Sequence, residues 1–111
     1  MDAANLPESL QSQLLISDGE LRDVVEEFVR GLDGRLAELR AAYDRLDFQQ
    51  LAALAHRLKG AGGSYGYPAL SNVAASMEER FRRFAAEDFD GQLAALERLA
   101  EAARNGLSAK S

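Results

Sequence analysis

At 111 residues the chain has the size of one compact domain, long enough to bury a conventional core without disulfide or metal staples. It contains no cysteine and one histidine, His56, which removes disulfides, thiolate zinc sites, cysteine nucleophiles and any multi-histidine metal site within one chain. Lys and Arg number 13 against 18 Asp and Glu, and the net charge of −5 argues against nucleic acid as the main partner. No apolar run approaches the ~18 residues of a membrane span, and no basic-then-apolar leader opens the chain, so a cytoplasmic protein without a membrane partner is expected. The opening methionine and short tail favour a free-standing protein; with no internal repeat, low-complexity block or interdomain linker, one domain over residues 1–111 is expected, and it is expected to be a monomer.

Apolar residues recur at spacings of three and four throughout, and alternation at period two is hard to find, so the predicted fold is all-α. Leu6, Leu10 and Leu14, with Pro7 placed to start it, predict a short leading helix over 6–16. Ser17 and Glu20 have the spacing of a capping box, followed by Leu21, Val24, Val25 and Phe28 on one face. Gly31 and Gly34 bracket a predicted break, after which Leu32, Leu36, Leu39, Tyr43 and Leu46 continue the stripe. Asp47 and Gln50 form a second box that opens a helix running to about Tyr65. Gly66 is a terminator and Pro68 a first-turn residue of the next helix, which carries Leu70, Val73, Ala74, Met77, Phe81 and Phe84. Asp88 or Asp90 caps the last helix, with Leu93, Leu96, Leu99 or Ala100, and Ala103 inward; the polar tail over 105–111 is expected to fray. Short connections between long helices favour antiparallel neighbours. The predicted architecture is an up-down antiparallel four-helix bundle with a short additional N-terminal helix.

The segment from Leu51 to Gly66 conflicts with helix propensity. Glycines 60, 62 and 63 fall inside a helical pattern, where each costs about 0.8–1 kcal/mol relative to alanine. On a helical wheel Leu51, Leu54, Leu58, Ala61 and Tyr65 share one side. His56 falls opposite them, beside Lys59, Gly60 and Gly63, with Ala52 and Ala53 one turn earlier. A plain surface histidine does not account for costly glycines around it. A bare patch that lets a partner protein approach one nucleophile accounts for both. A free imidazole has a pKa near 6.5, so an exposed histidine is largely neutral at pH 7 and can attack a phosphoryl group through a ring nitrogen. Lys59, one turn on, is placed to face the phosphate as a point charge, whereas Arg57 lies about 100° around the helix and reads as solvated surface.

The run His56-Arg57-Leu58-Lys59-Gly60, with Ala61, Gly62, Gly63 and Ser64 as small residues and Gly66 ten residues past the histidine, resembles the histidine-containing phosphotransfer domain of phosphorelays. The resemblance covers most of the chain, from the helix after Ser17 to the last helix. It implies a four-helix bundle that accepts a phosphoryl group on His56 from a receiver-domain phosphoaspartate and passes it to another receiver. It also implies that Lys59 supports the phosphohistidine and that Gly60 leaves room beside it; Gly63, Ala52 and Ala53 join the partner-binding face from the wheel. The expected partners are response-regulator receiver domains, with a hybrid histidine kinase as a further candidate. No cofactor or metal of the chain's own is expected, magnesium belonging to the receiver. The extra glycines at 62 and 63 depart from the family pattern.

Other motifs fall away. Lys59-Gly60-Ala61-Gly62-Gly63-Ser64 is similar to a phosphate-binding loop, but the lysine precedes the glycines and no strand leads in, so a nucleotide site is not expected and the chain reads as a carrier rather than an enzyme. The acidic pairs Glu26/Glu27 and Glu78/Glu79 read as solvated charge, and Arg80, Arg82 and Arg83 as solvated surface first and a contact to an acidic receiver second. The alternative function is a non-catalytic helical adaptor that binds a partner through the small-residue face; such a protein would tolerate His56→Gln.

Overall fold

The structure, a computed structural model, describes residues 7–108, and every regular element among them is helical. Six α-helices follow in order: α1 Gln13–Ser17, α2 Arg22–Arg30, α3 Leu32–Asp44, α4 Phe48–Ser64, α5 Pro68–Arg82 and α6 Phe89–Ser108, with one 3-10 turn at Gly19–Leu21. Long helices α3 to α6 form the bundle, and α2 leads into it and packs on α6. Cross-contacts give the directions. Lys59 meets Ser71 and His56 meets Glu78 between α4 and α5, while Arg104 pairs with Asp33 and Arg40 with Asp90 between α3 and α6. As the residue number rises on one helix it falls on its neighbour, so both pairs are antiparallel. The predicted apolar stripes meet in one core: Leu32, Leu36 and Leu39; Leu51, Leu54 and Leu58; Leu70, Val73, Met77 and Phe81; Leu93, Leu96 and Leu99 are all buried.

Local signals explain most helix ends. The Asp47 side chain accepts from the Gln50 amide at 3.0 Å and opens α4. Pro68 starts α5, where its missing N–H costs nothing. Asp88 stands just before α6, with its carbonyl accepting from the Gln92 amide, whereas Asp90 pairs with Arg40 at 2.7 Å. The break between α2 and α3 falls at Gly31, while Gly34 lies inside α3.

Three helices end in the same motif. The amide two residues past the helix cap reaches back five residues, and the amide before it reaches back three. The pairs are Asp47 to Ala42 with Leu46 to Tyr43, Tyr67 to Gly62 with Gly66 to Gly63, and Ala85 to Arg80 with Phe84 to Phe81. The left-handed position of this motif is Gly66 (φ +87°) after α4, but Leu46 (φ +55°) after α3 and Phe84 (φ +58°) after α5. A side chain held there costs about 1–2 kcal/mol, and both of these are exposed, so core burial does not offset it. At Gly66 glycine is required for a second reason: a Cβ would come within 2.7 Å of the Gln13 amide nitrogen and closer still to that of Leu14. Gly66→Ala should therefore cost about 2–3 kcal/mol and lower Tm by roughly 10 °C in a thermal melt, and an unchanged melt would show that the N-terminal segment moves aside freely.

Both chain ends differ from the sequence expectation. The leading helix is not 6–16 but Gln13–Ser17, capped by Ser12, whose Oγ accepts from the Leu15 amide (Leu6 lies outside the described residues). Residues 8–13 act instead as a strap, because their backbone finds partners elsewhere. The Leu10 amide donates to the Ala102 carbonyl at 2.9 Å and the Gln13 amide to that of Gly66 at 2.8 Å. Ser17 ends α1, and Asp18, not Ser17, caps the turn that follows by accepting from the Glu20 amide. Within the described residues the tail does not fray at Asn105 (residues 109–111 lie outside them). Helix α6 continues to Ser108, with Gly106 buried against the Leu10 carbonyl, Asn105 donating to the Glu8 carbonyl at 2.8 Å, and Arg22 donating to that of Leu107 at 2.7 Å.

Candidate functional site

Helix α4 carries the predicted residues, and the antiparallel α4–α5 hairpin supplies what the sequence reading left out. His56 stands outward with 61% of its side chain exposed. Its Nδ1 lies 3.1 Å from Oε2 of Glu78 on α5. Lys59 Nζ lies 2.9 Å from the other oxygen, Oε1, and the Arg82 Nε donates to Oε2 at 3.0 Å. The Glu78 side chain is 7% exposed, so one carboxylate, nearly closed off from water, joins the imidazole to two cations. Lys59 foremost, then Arg82, hold this carboxyl down to about 2 against the opposing effect of burial. It is therefore ionised at neutral pH and can only accept hydrogen bonds.

The sequence pattern predicts both members of the acidic pair Glu78/Glu79 to be solvated charge. Glu79 fits that description, exposed and facing Arg83. Glu78 does not, because it follows Leu70 and Ala74 at spacings of four and precedes Phe81 by three, which places it on the buried stripe of α5. That spacing was the available signal. Arg82 is exposed, as expected of solvated surface, yet its position one turn beyond Glu78 also lets it pair with that carboxylate.

The glycines separate into two kinds. A Cβ at Gly60 would meet nothing within 4 Å, and one at Gly63 only the Ser71 hydroxyl at 3.8 Å. Gly62 is different: a Cβ there would stand 3.0 Å from the Ser71 amide nitrogen and 3.3 Å from Leu70 Cβ, so its absence lets α5 lie close against α4. The Ser71 hydroxyl donates to the Lys59 carbonyl at 2.8 Å across this contact. Of the two alanines placed on the outer face, Ala53 is half-buried, whereas Ala52 is only 8% exposed because α5 overlies that side of the helix. Both line an open groove of about 450 Å³ with Phe48, Gln49, Phe81, Arg82 and Phe84.

Ion pairing of Glu78 has a pH consequence. Its carboxyl titrates lower in the folded chain than in the unfolded one, so the stabilisation is full above about pH 4.5 and is lost as pH falls towards 2. Lys59 and Arg82 are partly solvated, which limits the contribution to about 1–2 kcal/mol. Urea unfolding of wild type and Glu78→Gln should differ by that amount at pH 7, with the difference shrinking below about pH 4.5 and closing only as pH reaches about 2. A constant difference would assign the effect to packing.

Among the described residues no group of three or more His, Asp or Glu is placed to hold a metal ion, and no helix is long and apolar enough to cross a membrane. Comparison with curated proteins and with solved structures finds no match. A family model described as Hpt domain matches residues 23–106, which spans α2 to α6 and includes His56, Lys59 and Glu78. Membership implies histidine phosphotransfer in two-component phosphorelays. The helical bundle, the outward histidine and this match agree: the chain belongs to the Hpt domain family.

Proposed function

We propose that the chain carries a phosphoryl group on His56, taking it from the phosphoaspartate of one receiver domain and passing it to the aspartate of another. The observation that supports this most is the ionised Glu78 behind an outward imidazole. Because Glu78 only accepts, Nδ1 bears the ring proton and Nε2 keeps its lone pair. In the forward step Nε2 forms a bond to phosphorus while the P–O bond to the aspartyl carboxylate breaks, and its electron pair stays on that carboxylate. No proton has to move. The ring becomes a phosphoimidazolium whose Nδ1–H is still donated to Glu78, so the new positive charge arises against a carboxylate already in place. The return step retraces this path, and the cationic ring leaves phosphorus more readily than an anion would.

Lys59 stands one turn from His56 and supports the reading as a point charge able to turn towards the phosphoryl oxygens. Gly60 and Gly63 leave open surface for the receiver. The receiver, or a hybrid kinase that carries one, supplies the aspartate and the magnesium, and this chain supplies a positioned nucleophile with no nucleotide site of its own.

The test is incubation with receiver domains charged by acetyl phosphate. An acid-labile, base-stable label should pass to this chain. Receivers that bind it without any transfer of label would favour the adaptor reading instead.

A further inference from the structure

The strap meets the end of α6 at an asparagine–glycine pair. Asn105 and Gly106 lie in the last turn of that helix, Asn105 exposed and Gly106 buried. The Leu10 amide donates to the Ala102 carbonyl at 2.9 Å, Asn105 Nδ2 to the Glu8 carbonyl at 2.8 Å, and Gln11 Nε2 to the Gly106 carbonyl at 3.3 Å. This joint uses both members of the pair. A Cβ at position 106 would overlap the Leu10 carbonyl, and the Asn105 side chain supplies the donor for Glu8. Together they also make the pair in which a side-chain amide is most open to attack, because glycine puts no side chain in the path of its own backbone nitrogen. The chain has three asparagines, and the other two precede Leu6 and Val73.

We infer that Asn105 is a deamidation site that the strap keeps closed, and that its modification releases the strap in one direction. In the first step the Gly106 amide nitrogen forms a bond to Asn105 Cγ while the Cγ–Nδ2 bond breaks, and ammonia leaves with the proton of that amide. Water then opens the succinimide at one carbonyl or the other, giving aspartate or isoaspartate. The fold opposes the first step twice. Helical bonding directs the Gly106 N–H towards the carbonyl four residues back, away from its neighbour's side chain, and Nδ2 is held on Glu8. Reaction therefore waits for the strap and the last turn to open together. Glu8, Ser9 and Gln11 are exposed and the bonds of the joint are few, so this opening belongs to the least stable part of the molecule. The product blocks reclosure. A carboxylate at position 105 turns an acceptor towards the Glu8 carbonyl and sets a negative charge at the C-terminal end of α6, where the helix dipole opposes it. Isoaspartate also lengthens the main chain by one carbon, which breaks the register of the turn.

The experiment follows the full chain in mildly alkaline buffer by peptide mass spectrometry, folded and in urea. Asn105 should deamidate readily in urea and at least about 10-fold more slowly when folded, while the exposed Asn72 stays unmodified over the same time. Leu10→Pro removes the amide donated to Ala102 and should speed the folded reaction by about 3-fold or more. Should that variant lose its fold, hydrogen exchange of the wild-type Leu10 amide replaces it. Its open fraction should match the ratio of folded to urea rates, and a mismatch beyond about 10-fold overturns the gate. Asn105→Asp, which carries the product's charge, should speed exchange of the Leu10 amide; unchanged exchange there overturns the release. Equal rates in folded protein and urea overturn the protection, a Leu10→Pro rate equal to wild type assigns it to the helix alone and overturns the part given to the strap, and no reaction at Asn105 in urea overturns the site.

Discussion

His56→Gln is expected to reduce label transferred from a charged receiver to background while leaving the fold intact. Glutamine is similar in reach and polarity, and the imidazole is largely in solvent, so stability should change by less than about 0.5 kcal/mol. The loss should be complete because this is the sole histidine in the chain and Glu78, the nearest carboxylate, is engaged by two cations. The geometry makes a finer claim about which nitrogen reacts. With Nδ1 donating to Glu78, the phosphoryl group should sit on Nε2, which phosphorus and nitrogen NMR of the neutral-pH product can assign. Label retained by His56→Gln, or a product phosphorylated at Nδ1, would overturn the proposed mechanism.

Legibility in the sequence followed the range of the interaction. Asp47, Gly31, Gly66 and Pro68 act within a few residues of themselves, and each ends or begins a helix where its chemistry places it. His56 and the apolar stripe of α4 were likewise readable from period alone. What failed depended on partners far along the chain. The spacing of Leu10 and Leu14 suits a helix, but the amides of Leu10 and Gln13 bond to Ala102 and Gly66, and those long-range bonds draw the segment out as a strap. The same strap explains why the tail stays helical: Gly106 and Asn105 look like breakers in isolation but receive residues 8–10 in the fold. Glu78 was hidden by its neighbour Glu79, although its register on α5 matches the buried face. Once α4 and α5 pair as an antiparallel hairpin closed at Gly66, that register sets Glu78 opposite His56. The wheel also could not tell Gly62 from Gly60, since only the position of α5 decides which lacks room for a side chain.

That difference between glycines sets the second large effect. Side chains on a helix lean towards its N-terminus, so a residue at position 60 covers the turn that holds His56. Gly60→Ala should stabilise the fold by about 0.5–1 kcal/mol, because the added methyl meets nothing and the unfolded chain loses freedom. Gly60→Gln should melt at or above the wild-type temperature, glutamine being a good helix former. It should nevertheless lose about 100-fold or more in transfer rate, since it stands where the receiver's phosphoaspartate must approach Nε2 and small displacements there cost rate steeply. Gly62→Ala should do the reverse. It presses on the Ser71 backbone and lowers Tm, while the His56 face stays bare and transfer from folded protein persists. Thermal melts and timed transfer on the three variants separate the roles. A Gly60→Gln protein that unfolds would assign the glycine to packing after all, and one that transfers at the wild-type rate would show that the receiver reaches His56 from another side.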